Sequence, residues 1–72
     1  MSGSQISSSF GKRVREERTS KGFSQEKLAE VAGLHRTYIG MVERGEKNIT
    51  LENIEKISKA LKVSMSKLLD GI

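Results

Sequence analysis

Apolar residues along this chain recur three and four positions apart and nowhere alternate with polar ones long enough to make a strand, so the pattern predicts helices only. Phe10, Val14 and the aliphatic stem of Arg18 fall at i, i+4 and i+8. They define a first helix from a serine cap near Ser8 or Ser9 to about Lys21, with Gly22 closing it as a residue that tolerates a left-handed cap. Ser24 caps a second helix, Gln25 to Ala32, whose inward residues are Leu28, Ala29 and Ala32. Gly33 ends that helix after about two turns, too short to stand alone. A third helix from His35 or Arg36 to Arg44 points Ile39 and Val42 one way and Thr37, Gly40, Met41 and Arg44 the other, and closes at Gly45. Thr50 caps a fourth, in which Leu51, Ile54, Ile57 and Leu61 repeat through about Lys62. Ser64 caps a short fifth carrying Met65, Leu68 and Leu69 before Gly71. The expected fold is all-α, a compact five-helix domain over residues 9–70. Residues 1–8, small and polar without periodicity, are expected to form a disordered N-terminal arm.

The stretch from Gln25 to Arg44 is the most informative. Two short helices that cross closely need a small residue on the first, a residue free to take positive φ in the turn, and an apolar anchor on the second. Ala29, Gly33 and Ile39 supply these at helix-turn-helix spacing. Such a unit leaves the outer face of its second helix protruding, with a width that fits the major groove of B-DNA. Here that face carries Arg36, Thr37, Gly40, Met41 and Arg44.

Composition sharpens this reading. At 72 residues the chain is one domain, and with 35% hydrophobic and 4% aromatic residues its core is marginal for an isolated monomer. Leu51, Met65, Leu69 and Ile72 exceed what five short helices can cover, so a homodimer is expected with those four residues at its interface. Thirteen Lys plus Arg against nine Asp plus Glu give a net charge of +4, the electrostatic footprint of a nucleic-acid partner. The absence of Cys excludes a disulfide framework and a thiolate nucleophile, and the single His35 cannot build a histidine metal site; no metal and no cofactor are expected. No apolar run approaches a membrane span and the N-terminus lacks the regions of a signal peptide, so the expected location is the cytoplasm. A bundle this small has no room for a catalytic pocket, so neither an enzyme nor a small-molecule ligand is expected.

Over about residues 10 to 70 the sequence resembles the phage repressor and Cro-like helix-turn-helix domains. The resemblance is carried by Ser24-Gln25-Glu26-Lys27-Leu28-Ala29, Gly33-Leu34, Ile39 and Val42-Glu43-Arg44-Gly45. Within that class His35-Arg36-Thr37-Tyr38-Ile39, Glu43-Arg44-Gly45 and Asn48-Ile49-Thr50-Leu51 look most like the controller proteins of restriction-modification systems. The resemblance implies a homodimeric transcriptional regulator on a palindromic operator, with double-stranded DNA as partner and RNA polymerase as a further candidate. It implies that Gln25 touches a phosphate and braces the recognition helix, that Arg36 and Thr37 reach base edges, joined by Tyr38, and that Lys47 faces DNA. Side-chain chemistry agrees: arginine can donate a bidentate pair to guanine, and threonine can hydrogen-bond a base or place its methyl against thymine. Backbone N–H groups near Ser24-Gln25 and Asn48-Thr50 open helices and suit phosphate oxygens, and Arg44 joins this backbone-contacting set. The resemblance further implies a partly buried Arg18–Glu43 ion pair, and both charges do interrupt otherwise inward faces.

Two alternatives stand beside this reading. Within the class, a phage-type repressor or antitoxin-like autoregulator would carry the same motif. From another class, a protein-interaction module could keep the scaffold without binding DNA. The outer face of the third helix discriminates, because Arg36, Thr37 and Arg44 suit DNA whereas a partner protein would favour a continuous apolar surface.

Overall fold

The computed structural model describes residues 5–72. Five helices follow one another: α1 (Gln5–Ser20), α2 (Gln25–Ala32), α3 (Arg36–Glu43), α4 (Leu51–Leu61) and α5 (Met65–Leu69), with no strand among the described residues. Three of the expected caps close as hydrogen bonds. The hydroxyl of Ser24 accepts from Lys27 N at 2.9 Å, that of Thr50 from Asn53 N at 3.1 Å and that of Ser64 from Lys67 N at 3.0 Å. His35, the residue that precedes α3 in the cap position, makes no such bond with its side chain.

The inward faces meet in one core. Val14 of α1, Leu28 of α2, Ile39 of α3, Ile57 and Leu61 of α4 and Leu68 of α5 are all fully shielded from solvent, with Phe10, Ala29, Val42 and Ile54 packed around them. Each buried aliphatic side chain of this size contributes roughly 1.5 to 3 kcal/mol over leaving it in water. α1 packs across α3, α2 packs against both α3 and α4, and α5 rests on α1 and α4. A five-residue helix cannot persist alone. α5 is held by Leu68 and by Arg13, whose guanidinium donates to the carbonyl oxygens of Lys67 and, at 2.9 Å, of Asp70.

The N-terminal boundary differs from expectation. α1 begins at Gln5, so residues 5–8 are helical rather than part of an arm; residues 1–4 of the expected arm lie outside the described residues. The physical reason is twofold. Ile6 precedes Phe10 by four residues and extends the apolar stripe by one turn, lining a shallow cavity of about 200 Å³ with Phe10, Ile49, Ile54 and Leu69. Ser8 seats on Gly45, where an added Cβ would stand 2.7 Å from its Oγ and 2.8 Å from its Cα. Tertiary contact therefore outweighs the modest helix preference of serine.

Gly11 sets how closely α1 crosses α3. A Cβ there would stand 2.7 Å from the Glu43 carbonyl oxygen and still closer to that of Val42. Both obstacles are backbone atoms and cannot swing aside. Gly11→Ala would gain about 1 kcal/mol of helix propensity but should lose more by prising the helices apart, for a net destabilisation of about 2 kcal/mol. A urea midpoint equal to or above that of the parent would contradict this account of the crossing.

Candidate nucleic-acid interface

The α2–α3 unit closes as its sequence spacing requires. Ala29 is buried at the crossing, Ile39 is sealed beneath α3, and Gly33 takes φ 72° in the turn while Leu34 N donates to Ala29 O at 2.9 Å. The two helices enclose an open concavity of about 600 Å³, lined by Gln25, Glu26, His35, Arg36, Thr37, Gly40 and Arg44. The structure thus brings Gln25, Arg36, Thr37 and Arg44 together on one surface, with Arg36 and Thr37 exposed at the start of α3. That surface is polar and carries two guanidinium groups, so its chemistry suits phosphates and base edges.

Arg18 and Glu43 fix the unit to α1. Arg18 Nε donates to Glu43 Oε2 at 2.6 Å and Nη2 to Oε1 at 3.1 Å, with side-chain exposures of 11% and 3%, so this is a buried bidentate pair. Arg18 Nη1 donates to Phe23 O at 2.8 Å, and Gln25 Nε2 donates to Glu43 Oε1 at 3.1 Å. Gln25 therefore belongs to two systems, bracing α3 through Glu43 while lining the concavity.

Three placements add to the sequence reading. Gly40 lies on the outward face as expected and lines the concavity, but is buried there: Arg44 covers it, with Nη1 3.1 Å from where a Cβ would sit, and Gln25 Oε1 lies 3.7 Å from that same point. Tyr38 turns away from the concavity. Its ring packs against the core and its hydroxyl accepts from Asn53 Nδ2 at 3.0 Å, which leaves the hydroxyl proton free to donate. Arg44 is engaged by Glu46, a partner that sequence reasoning missed; Nε donates to Oε2 at 3.0 Å and Nη2 to Oε1 at 3.2 Å. That hydrogen bond holds the Glu46 carboxyl below the usual carboxylate range and raises Arg44 above its own. A cation two residues before an anion, across a glycine that turns the chain, was the available signal.

Apart from Arg44, which closes α3, the residues expected to meet the DNA backbone sit at the openings of α2 and α4. Ser24 and Thr50 are exposed caps, Lys47 is exposed in the loop before α4, and exposed Asn48 accepts through Oδ1 from Ser7 Oγ at 3.4 Å. Of the four expected interface residues, Leu51 is 73% exposed and Leu69 37%, whereas Met65 and Ile72 are half-buried against the core. Ile6, 61% exposed and absent from the expected set, shares a cavity with Leu69. No described helix is long and apolar enough to cross a membrane.

Comparison with known proteins places this geometry. A family model described as helix-turn-helix matches residues 14–68. Control protein C.BamHI from Bacillus amyloliquefaciens is 60% identical over 62 residues, covering 85% of this chain and 76% of that protein. The crystal structure of the restriction-modification controller protein C.AhdI from Aeromonas hydrophila matches with a TM-score of 0.85 at 50% identity, over 86% of this chain and 94% of that one. SinR, the master regulator for biofilm formation, matches in its complex with DNA with a TM-score of 0.81 at 39% identity, over 85% of this chain and 98% of that one. On its sequence, its fold and the crossing of α2 and α3, the chain belongs to the helix-turn-helix family and, within it, to the group of restriction-modification control proteins.

Proposed function

We propose that this chain is a sequence-specific DNA-binding regulator of transcription, the control protein of a restriction-modification system, acting as a homodimer on a palindromic operator. The observation that carries the reading is the concavity between α2 and α3, where Arg36 and Thr37 stand exposed beside Gln25 and Arg44. Arg36 and Thr37 read base edges, while Ser24, Gln25, Lys47, Asn48 and Thr50 meet phosphates from the openings of α2 and α4. Tyr38 adds a phenolic donor from the edge of α3. The SinR complex with DNA and the likeness to C.BamHI and C.AhdI support DNA as the partner rather than another protein. The exposed apolar side chains of Leu51, Leu69 and Ile6 lie away from the concavity and supply the surface for a second copy.

A two-fold dimer presents two copies of α3 to half-sites about 34 Å apart, one turn of B-DNA. Selection from a randomised duplex pool by mobility shift should enrich a palindrome with that spacing, bound by two chains per duplex in sedimentation. A pool that shows no enrichment after repeated rounds, or a chain that stays monomeric on the enriched duplex at high micromolar concentration, would refute this function.

A further inference from the structure

Glu46 is an acidic side chain paired with an arginine of the surface that is to meet phosphates, and its place beside Arg44 is imposed by the backbone. Gly45 turns the chain at φ 74°, Glu46 N donates to Met41 O at 2.9 Å, and Arg44 N donates to Gly40 O at 3.1 Å. Both members of the Arg44–Glu46 pair therefore spring from the hydrogen-bonded closing turn of α3. Holding them together orders less chain than an ordinary surface pair between mobile elements. The pairing consumes Nε and Nη2 of Arg44. What is left for a ligand is both N–H groups of Nη1 and the second of Nη2, and Nη1 lies over Gly40, 3.1 Å from the position of an absent Cβ. Glycine is the poorest helix former after proline, yet it occupies the middle of an eight-residue helix, and the guanidinium fills the space it leaves.

We propose that Glu46 is a specificity-determining positioning residue. By holding the Nε–Nη2 edge of the Arg44 guanidinium and offsetting its charge, it withholds a loose cation from the phosphates of arbitrary DNA and fixes the direction in which the remaining N–H groups, with Nη1 over Gly40, are presented to the operator. The proposal rests on the reading that α3 enters the major groove, and it changes what Arg44 does there: a directed contact replaces the general phosphate contact that its helical position alone predicts. Glu46 itself touches no base. It acts through Arg44.

The test compares binding to a duplex selected by the wild-type chain with binding to a random-sequence duplex of equal length, each at two salt concentrations. Glu46→Gln frees a cation, so it should tighten binding to the random duplex several-fold at low salt and steepen the salt slope by about 0.9 per half-site. The selected-to-random ratio should fall by roughly fivefold or more, because the directed donor is lost. Gly40→Ala keeps every charge but displaces the guanidinium, so the ratio should fall with no change of slope. In an Arg44→Ala background, Glu46→Gln should alter neither slope nor ratio. An unchanged ratio for Glu46→Gln, or the same changes in the absence of Arg44, overturns the proposal. Failure of the underlying reading looks different, since the wild-type chain would then show no selected-over-random preference at all.

Discussion

Glu43→Leu should cost about 3 to 5 kcal/mol, a large part of the stability of so small a domain, and lower Tm by at least about 12 °C. The carboxylate is 3% exposed and accepts from Arg18 twice and from Gln25 once, so its hydrogen-bonding capacity is almost wholly used inside the protein. Deleting it strands a guanidinium that is 11% exposed, with the carbonyl of Phe23 as its remaining acceptor. The cost is that of an uncompensated buried charge, not of the attraction itself. Arg18→Met with Glu43→Leu should therefore recover most of the loss, and a double-mutant cycle in thermal unfolding should return a coupling of about 3 kcal/mol or more. Additive losses would show that the two side chains do not act as a unit. Gln25 extends the consequence to DNA: the repaired double variant leaves Gln25 Nε2 without its acceptor, so it should fold well yet bind an operator less tightly than the parent, separating the pair's role in stability from its role in bracing the interface.

How far the sequence could be read differs between particular residues for physical reasons. α2 begins and ends as its cap and glycine require, because Ser24 and Gly33 act on their own backbone, through bonds to Lys27 and Glu30, and need no distant partner. The crossing of Ala29, Gly33 and Ile39 was legible for the same reason: close approach demands small, flexible and apolar residues at set intervals. The first turn of α1 was legible only in Ile6, four residues before Phe10, since serine is a modest helix former and the turn's order also comes from Gly45 and Ile49, some forty residues away. Periodicity assigned Gly40 to a face, and the family resemblance set Tyr38 beside the base-reading residues, without saying what covers either. Arg44 folds back over the first, as the i, i+4 spacing on one face permits, whereas Asn53 of α4 reaches the second, a contact that no spacing within α3 could reveal.

Arg36→Ala should separate reading a sequence from holding DNA. Arg36 is exposed at the first position of α3 and lines the concavity, where a guanidinium can donate two parallel bonds to one guanine edge. Its loss should cost about 1 to 3 kcal/mol per half-site on the selected operator and flatten discrimination at one base-pair position in each half, while affinity for random DNA barely moves. Lys47 is exposed in the loop before α4, outside the concavity, and offers a single mobile ammonium. Lys47→Ala should weaken binding to all sequences alike and reduce the salt slope by about one unit per half-site. Titrating both variants against the operator and its single-base variants at two salt concentrations distinguishes the roles, because a lost base contact changes the ranking of sequences and a lost phosphate contact changes the slope. If Arg36→Ala weakens every duplex equally and flattens the salt dependence, Arg36 holds a phosphate, and base readout must be assigned to other residues on α3.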